Sequence, residues 1–365
     1  MAEHYTVYVG TFSQGVWRGE DLETEREDTE KGYSIDLHEG DRRAWKRAGW
    51  TVPDKVFHLE AQSRAVAIHP QNSNTVLVGD EEGLFRSDNG GRKWERVAGA
   101  LAGVSIWSLA FDPSEPNTVF AGSRPAALFR SRDGGRTWHK LSADLPQKYT
   151  YGQTRVTNIK VDPLDPKSIW AGVEEGGVYR SVDGGDVWTH IPEGASSVPA
   201  TGHDVTIVTG AALQQKNGSV HLSPGKKETV LVTGPDAVVA SDDAGKSWRP
   251  FVSAKNMPLP ALGAVAVKPD DPQMIFLGIS ETDPAVAGGI MRSRDGGATW
   301  EQCNLPQKPN SGIFNIAMHP SNPRRIWAAS LLGELYHSEN AGDTWEKPNR
   351  ELTEIRALTW VPKTK

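Results

Sequence analysis

The side chains with most to offer chemistry are scattered along this chain: Arg64, Arg124, Arg155 and Arg356, Glu81 and Glu174, His58 and His203, Tyr151, Trp107 and Phe314. A histidine near a carboxylate is the commonest general-base arrangement. His58 or His203, helped by Glu174 and with Tyr151 as an acid, base or orienting group, would move a proton. Guanidiniums bind carboxylates and related anions through forked N–H donors. Arg64, Arg124, Arg155 and Arg356 would orient an anionic or carbonyl-bearing substrate, beside Glu81, and Trp107 and Phe314 would pack its apolar part. The set reads as a small-molecule hydrolase or lyase. The alternative is solvated loop charges, with the arginines paired to Glu60 or Glu354, on a non-catalytic protein-binding scaffold.

No serine elbow, HExxH or Walker sequence sharpens the chemistry. His58, Glu60, His203 and Asp204 are metal-ligand types, but their spacing matches no ligand motif, so no metal is expected and no cofactor is specified. A single cysteine, Cys303, rules out an internal disulfide framework, and the N-terminus has no basic stretch followed by an apolar export segment. A cytoplasmic monomer is the expectation. No apolar run approaches the roughly 18 residues that span a bilayer. The net charge of -6 has no basic face behind it, which argues against nucleic acid. Its excess acids lie between Glu20 and Arg43, a charge run expected to form an extended hairpin.

These residues need a frame, and the frame is repetitive. Six segments share one pattern: LFRSDNGGRKW, LFRSRDGGRTW, VYRSVDGGDVW, VVASDDAGKSW, IMRSRDGGATW and LYHSENAGDTW. Their serines, Ser87, Ser131, Ser181, Ser241, Ser293 and Ser338, are spaced by 44, 50, 60, 52 and 45 residues, a period typical of propeller blades. Each copy is an apolar strand, a glycine turn whose Asn or Asp accepts backbone N–H bonds, and a second strand opened by tryptophan. Upstream of most copies lies another hairpin, as in AVAIHPQNSNTVLVG and SLAFDPSEPNTVFAG, which makes four strands per unit. Near the N-terminus YTVYVGTFSQGVWRG lacks a first strand, and EIRALTWVP at the other end supplies it. The expectation is one all-β domain over residues 1–365, a seven-bladed β-propeller. Its blades would cover 63–97, 104–141, 154–191, 203–251, 261–303 and 312–347, with a closing blade of 5–50 plus 355–362.

The turn pattern resembles the Asp-box, or BNR, repeat of sialidases, sortilin ectodomains, xyloglucanases and the plant photosystem II stability and assembly factor. It is most similar to bacterial BNR-repeat proteins labelled sialidase-like or assembly-factor-like, with PAALFRS, GGVYRS and His203-Asp204-Val205 as further shared runs. The resemblance implies the propeller and leaves function open. Sialidase activity would need an arginine cluster, a Tyr–Glu pair and an aspartate, and the customary Arg-Ile-Pro signature is missing. A small-molecule ligand or a protein partner are the two occupants to weigh.

In such a ring the loops joining second to third strands share one face around a central funnel. Two residues past the glycine ending each second strand stand Phe12, Glu81, Arg124, Glu174, Asp236 and Ser280. Arg124 would sit between Glu81 and Glu174 and hold both ionised. The outermost positions of the inner strands are Arg64, Trp107, Thr157, Gly263, Phe314 and Arg356, with the positions two and four residues further in assigned to core. His69 and His319 fill the turn slot of Asp112 and Asp162 and are read as turn residues.

Overall fold

The computed structural model describes residues 4–20, 45–48, 62–149, 152–191, 204–216, 219–348 and 350–363. Seven of their antiparallel sheets stand around an axis as the blades of a propeller, and an eighth, two-stranded sheet pairs Lys148–Tyr149 with Gly152–Gln153. Blade 1 is Ala65–His69, Asn72–Asp80, Gly83–Ser87 and Glu95–Arg96; blade 2 is Ser105–Phe111, Val119–Arg124, Leu128–Ser131 and His139–Lys140. Blade 3 is Val156–Val161, Ile169–Val173, Gly177–Ser181 and Thr189–Ile191; blade 4 is Asp204–Lys216, Ser219–Thr233, Ala237–Ser241 and Arg249–Ser253. Blade 5 is Ala261–Lys268, Asp271–Ser280, Gly288–Ser293 and Glu301–Gln302; blade 6 is Ile313–His319, Asn322–Ser330 and Leu335–Ser338. The seventh blade joins Ile355–Pro362 to Tyr5–Thr11, Gly15–Glu20 and Lys46–Ala48. Each inner strand touches the inner strands of both neighbouring blades, so the ring is closed. Pairing the two chain ends in one sheet removes the free edges of an open array.

The second strands explain the apolar runs of the sequence. Blades cover them on both faces, so side chains pointing either way are buried: Val76, Leu77 and Val78, like Ile169, Trp170 and Ala171, have no exposed surface. Removing a side chain of this size from water contributes about 1.5–3 kcal/mol. Blades approach so closely near the funnel that a Cβ on Gly278 would lie 2.0 Å from the Ile313 carbonyl oxygen of the next blade. No larger residue fits there.

The six repeated turns share one network. Ser131 Oγ donates to Asp133 Oδ1 at 2.7 Å and accepts from Gly135 N at 2.9 Å, while Thr137 N donates to Asp133 Oδ1 at 2.9 Å. The equivalent bonds recur at Ser87, Ser181, Ser241, Ser293 and Ser338. Each turn rests on a large apolar residue of the preceding blade, as Gly185 does on Phe120, Gly245 on Trp170 and Gly342 on Phe276. An arginine one residue before the serine fastens the same joint: Arg130 donates to Gly184 O at 2.7 Å, Arg180 to Ala244 O at 3.3 Å and Arg292 to Ala341 O at 3.2 Å, and Arg86 reaches Gly134 O.

Blade 4 departs from its siblings. Its first two strands run on as an arm, paired from Asp204↔Thr233 to Lys216↔Ser219 with a bulge between Thr209 and Ala211. Ala240 occupies the arginine slot, and the arm takes over the joint: Leu222 N donates to Gly296 O of blade 5 at 2.7 Å.

Candidate functional site

The inner strands do not enter the funnel as regular strands. Trp107 is the extra residue between the pairs Ile106↔Ser123 and Ser108↔Gly122, and Thr157 stands likewise between Val156↔Val173 and Asn158↔Gly172. Phe314 and Arg356 occupy the same place in blade 6 and the closing blade, and Gly263 lies within the shift of blade 5. A bulge bends its strand and re-aims a side chain, so five of the six residues that strand alternation places at the mouth are presented by bulges. Arg64 precedes its strand and donates its backbone N–H to Gly79 O at 2.9 Å.

The cavity beneath has a volume of about 490 Å³, and Trp107, Thr157, Gly263, Phe314 and Arg356 line it. Val66, Leu109, Ile159 and Leu358 line its wall too while packing on the apolar cores behind it, Ile159 as a buried core member. Asn158 and Thr233, not anticipated from sequence, also line it. Their Oδ1 and Oγ1 atoms are buried without a hydrogen-bond partner. Nothing in their alternating strands distinguishes them from neighbours, so sequence offers no signal for them.

Three guanidiniums from three blades meet at Trp107. Arg64 Cζ stands 3.9 Å from the ring centroid, Arg155 Cζ 4.0 Å and Arg124 Cζ 5.9 Å. The first two are too close to the ring to share one face, so each covers its own. The indole N–H donates to Ser105 Oγ at 3.0 Å, and Arg64 bonds Gln62 Oε1. Burial, then the charges of Arg356, Arg155 and Arg124, lower the Arg64 guanidinium to about 10, with Glu81 opposing them. Trp107, expected to pack the apolar part of a substrate, has guanidiniums close to its ring. Phe314, 38% exposed, remains open to a ligand.

The carboxylates are distributed differently from the expectation. Arg155 Nη2 pairs with Glu174 Oε1 at 2.5 Å, and Arg356 pairs with Glu354. Arg124 does not bridge Glu81 and Glu174: the backbone bond from Glu174 N to Arg155 O, 3.0 Å, keeps those two adjacent within blade 3. Among the described residues Arg124 has no carboxylate partner. Asp236 is also displaced from the mouth ring. Val230↔Ser241 in blade 4 matches Val76↔Ser87 in blade 1, so Pro235, not Asp236, stands level with Glu81. His58, Tyr151 and His203, as well as Glu60, lie outside the described residues. His69 and His319 are turn residues whose Nδ1 atoms accept from Gln71 N and Ser321 N, both at 3.2 Å.

A Tyr–Glu couple of the type sialidase chemistry needs does exist. Tyr336 Oη donates to Glu334 Oε2 at 2.9 Å, but both residues are buried and neither lines the funnel cavity. Among the described residues no three His, Cys, Asp or Glu side chains gather as a metal site requires, and no helix is long and apolar enough to cross a membrane.

Comparison with known proteins returns the same architecture. Xyloglucanase Xgh74A of Acetivibrio thermocellus is 26% identical over 154 residues, which is 35% of this chain and 18% of that protein. The chain thus matches less than a fifth of this relative's length. The GH74 enzyme of Niastella koreensis superposes with a TM-score of 0.57 at 16% identity, covering 96% of this chain and 65% of that one. YCF48 bound to D1 peptide superposes with a TM-score of 0.52 at 17% identity, covering 79% and 82%. At these identities the two structures share the fold. The model of the Sortilin-Vps10 family, described as sortilin, neurotensin receptor 3, matches residues 82–234 and 236–364, and with more than half of its length so matched the chain belongs to that family.

Proposed function

We propose that this propeller is a recognition module whose funnel mouth binds an anionic segment of a partner protein, without chemistry. The observation that carries the reading is the cluster of Arg64, Arg124 and Arg155 around Trp107, in which Arg124 has no carboxylate partner among the described residues. Burial and then the neighbouring arginines lower the Arg64 guanidinium to about 10, so an added anion beside it would be favourable. Glu174, the carboxylate foreseen as a proton carrier, is occupied by Arg155. The peptide held by the YCF48 propeller is in keeping with a fold that takes polypeptide ligands.

Calorimetric titration with a hexaglutamate peptide tests the reading. Binding is expected, weakening as salt screens the charges and lost in Arg64→Glu and Arg124→Glu. Affinity unchanged by either reversal would overturn it.

A second reading, a small-molecule hydrolase or lyase, draws support from the 490 Å³ cavity, lined by polar residues such as Asn158 and Thr233, and from the xyloglucanase likeness. Turnover of a xyloglucan oligosaccharide or a carboxylate ester that vanishes in Glu174→Gln would favour it over pure recognition.

A further inference from the structure

Like charges at one rim repel, so a cluster of guanidiniums needs groups that hold it together. Four arginines contribute to it, from blades 1, 2 and 3 and the closing blade, and two of them, Arg155 and Arg356, have carboxylate partners. Arg64 bonds the neutral Gln62 Oε1, and it and Arg155 share one further support. The faces of an indole carry the negative part of its quadrupole and attract cations. Trp107 offers two such faces, and each carries a guanidinium within 4.0 Å of the ring centroid. The ring itself is pinned from two sides: its strand bulges at Trp107, and its N–H is spent on Ser105 Oγ. Neither face is left for a ligand to stack upon.

We propose that Trp107 is a positioning residue for anion recognition: it is the pedestal that holds Arg64 and Arg155 on opposite faces and sets their spacing beside Arg124. The inference rests on the anion-binding reading above for its purpose, but the pedestal itself stands on geometry alone. An aromatic replacement keeps two faces with a weaker quadrupole, whereas an aliphatic one keeps apolar bulk and loses the attraction.

Two measurements on the full chain separate the possibilities. Hexaglutamate titration is expected to show Trp107→Leu binding about tenfold more weakly than wild type, with Trp107→Phe restored to within about threefold, at unchanged melting temperature. Modification by phenylglyoxal, mapped by mass spectrometry, reads the pedestal without a ligand. Arg64 and Arg155 should react more slowly than Arg124 in the wild type, and should lose that protection in Trp107→Leu but not in Trp107→Phe. Equal affinity in Trp107→Leu and wild type would overturn the role in recognition. Unprotected Arg64 and Arg155 in the wild type would overturn the pedestal. If wild-type protein fails to bind hexaglutamate while the protection pattern holds, the recognition reading fails and the pedestal survives.

Discussion

The backbone N–H of Leu222 donates to the carbonyl of Gly296 at 2.7 Å, across the joint between blades 4 and 5, where an arginine side chain makes the corresponding bond at four other joints. Gly296 has φ +73, and a Cβ built on it would lie 1.9 Å from the Leu222 carbonyl oxygen. Gly184, in the equivalent turn of blade 3, has φ +81 and open space around it. Gly184→Ala is therefore expected to cost only the left-handed backbone term, about 1–2 kcal/mol. Gly296→Ala must also displace the arm and should cost roughly twice that or more. Denaturant unfolding of both variants checks the difference, and equal losses would show that the arm does not fasten this joint.

The same arm supplies a pH dependence. Burial, and a hydrogen bond with the almost fully buried Asp162 of blade 3, push the Glu228 carboxyl up to about 8; Asp165 adds to the rise and Arg180 opposes it. A carboxyl raised above its ordinary value is favourable only while protonated. Below about pH 4.5 folded and unfolded chains both hold the proton and the pair carries no penalty. From there to about pH 8 the unfolded chain releases a proton that the folded chain keeps, so stability falls as pH rises. Glu228→Gln should flatten this part of the melting-temperature profile. A profile parallel to that of the wild type would count against the shared proton.

The arginines at the mouth should rank by their partners. Arg124, without a carboxylate partner among the described residues, should lose about tenfold in hexaglutamate affinity on substitution by glutamine, the size of one charge-assisted hydrogen bond. Arg356, paired with Glu354, should lose less than about threefold on the same substitution, because the ligand must compete with that pair. The opposite order would place the anion over Arg356, on the cavity rather than on the Trp107 cluster.

Arg292 carries the joint between blades 5 and 6. Its buried side chain bonds Ala341 O at 3.2 Å and pairs with Asp343 at 2.9 Å and Glu301 at 2.7 Å. The two carboxylates are more than half exposed, so water can recover them. Arg292→Met is accordingly expected to cost about 1–2 kcal/mol rather than the larger penalty of stranding a buried charge. Thermal unfolding reads the value directly.

The ring, the repeated turns and the shared closing blade are all legible in the sequence, because each rests on local chemistry: a serine and an Asn or Asp two residues apart, a glycine, a tryptophan. The mouth ring is legible through strand alternation, although alternation does not reveal the bulges that present Trp107, Phe314 and Arg356. The error at Asp236 has a specific source. Thr233 occupies the slot that glycine fills at Gly79, so counting from Gly234 runs one residue long. The arm leaves its trace as the 60-residue interval between Ser181 and Ser241 and in the Asn217-Gly218 dipeptide, a hairpin signal. The meeting of Arg64 and Arg155 at Trp107 is not legible in the sequence, because the two come from other blades and no spacing along one chain encodes their arrival.

The seam at Tyr5–Thr11 and Ile355–Pro362 also decides how the molecule meets a load. Tyr5 pairs with Pro362 at one end of the ladder, and Thr11 pairs with Ile355 at the other, beside the mouth. A tether attached before Tyr5 or after Pro362 therefore leaves from the face opposite the funnel, and the opening points away from whatever holds the protein. Tension applied between two such tethers peels the ladder one pair at a time instead of shearing every pair together. The ring would unzip from its underside while the arginines at the mouth were still in place.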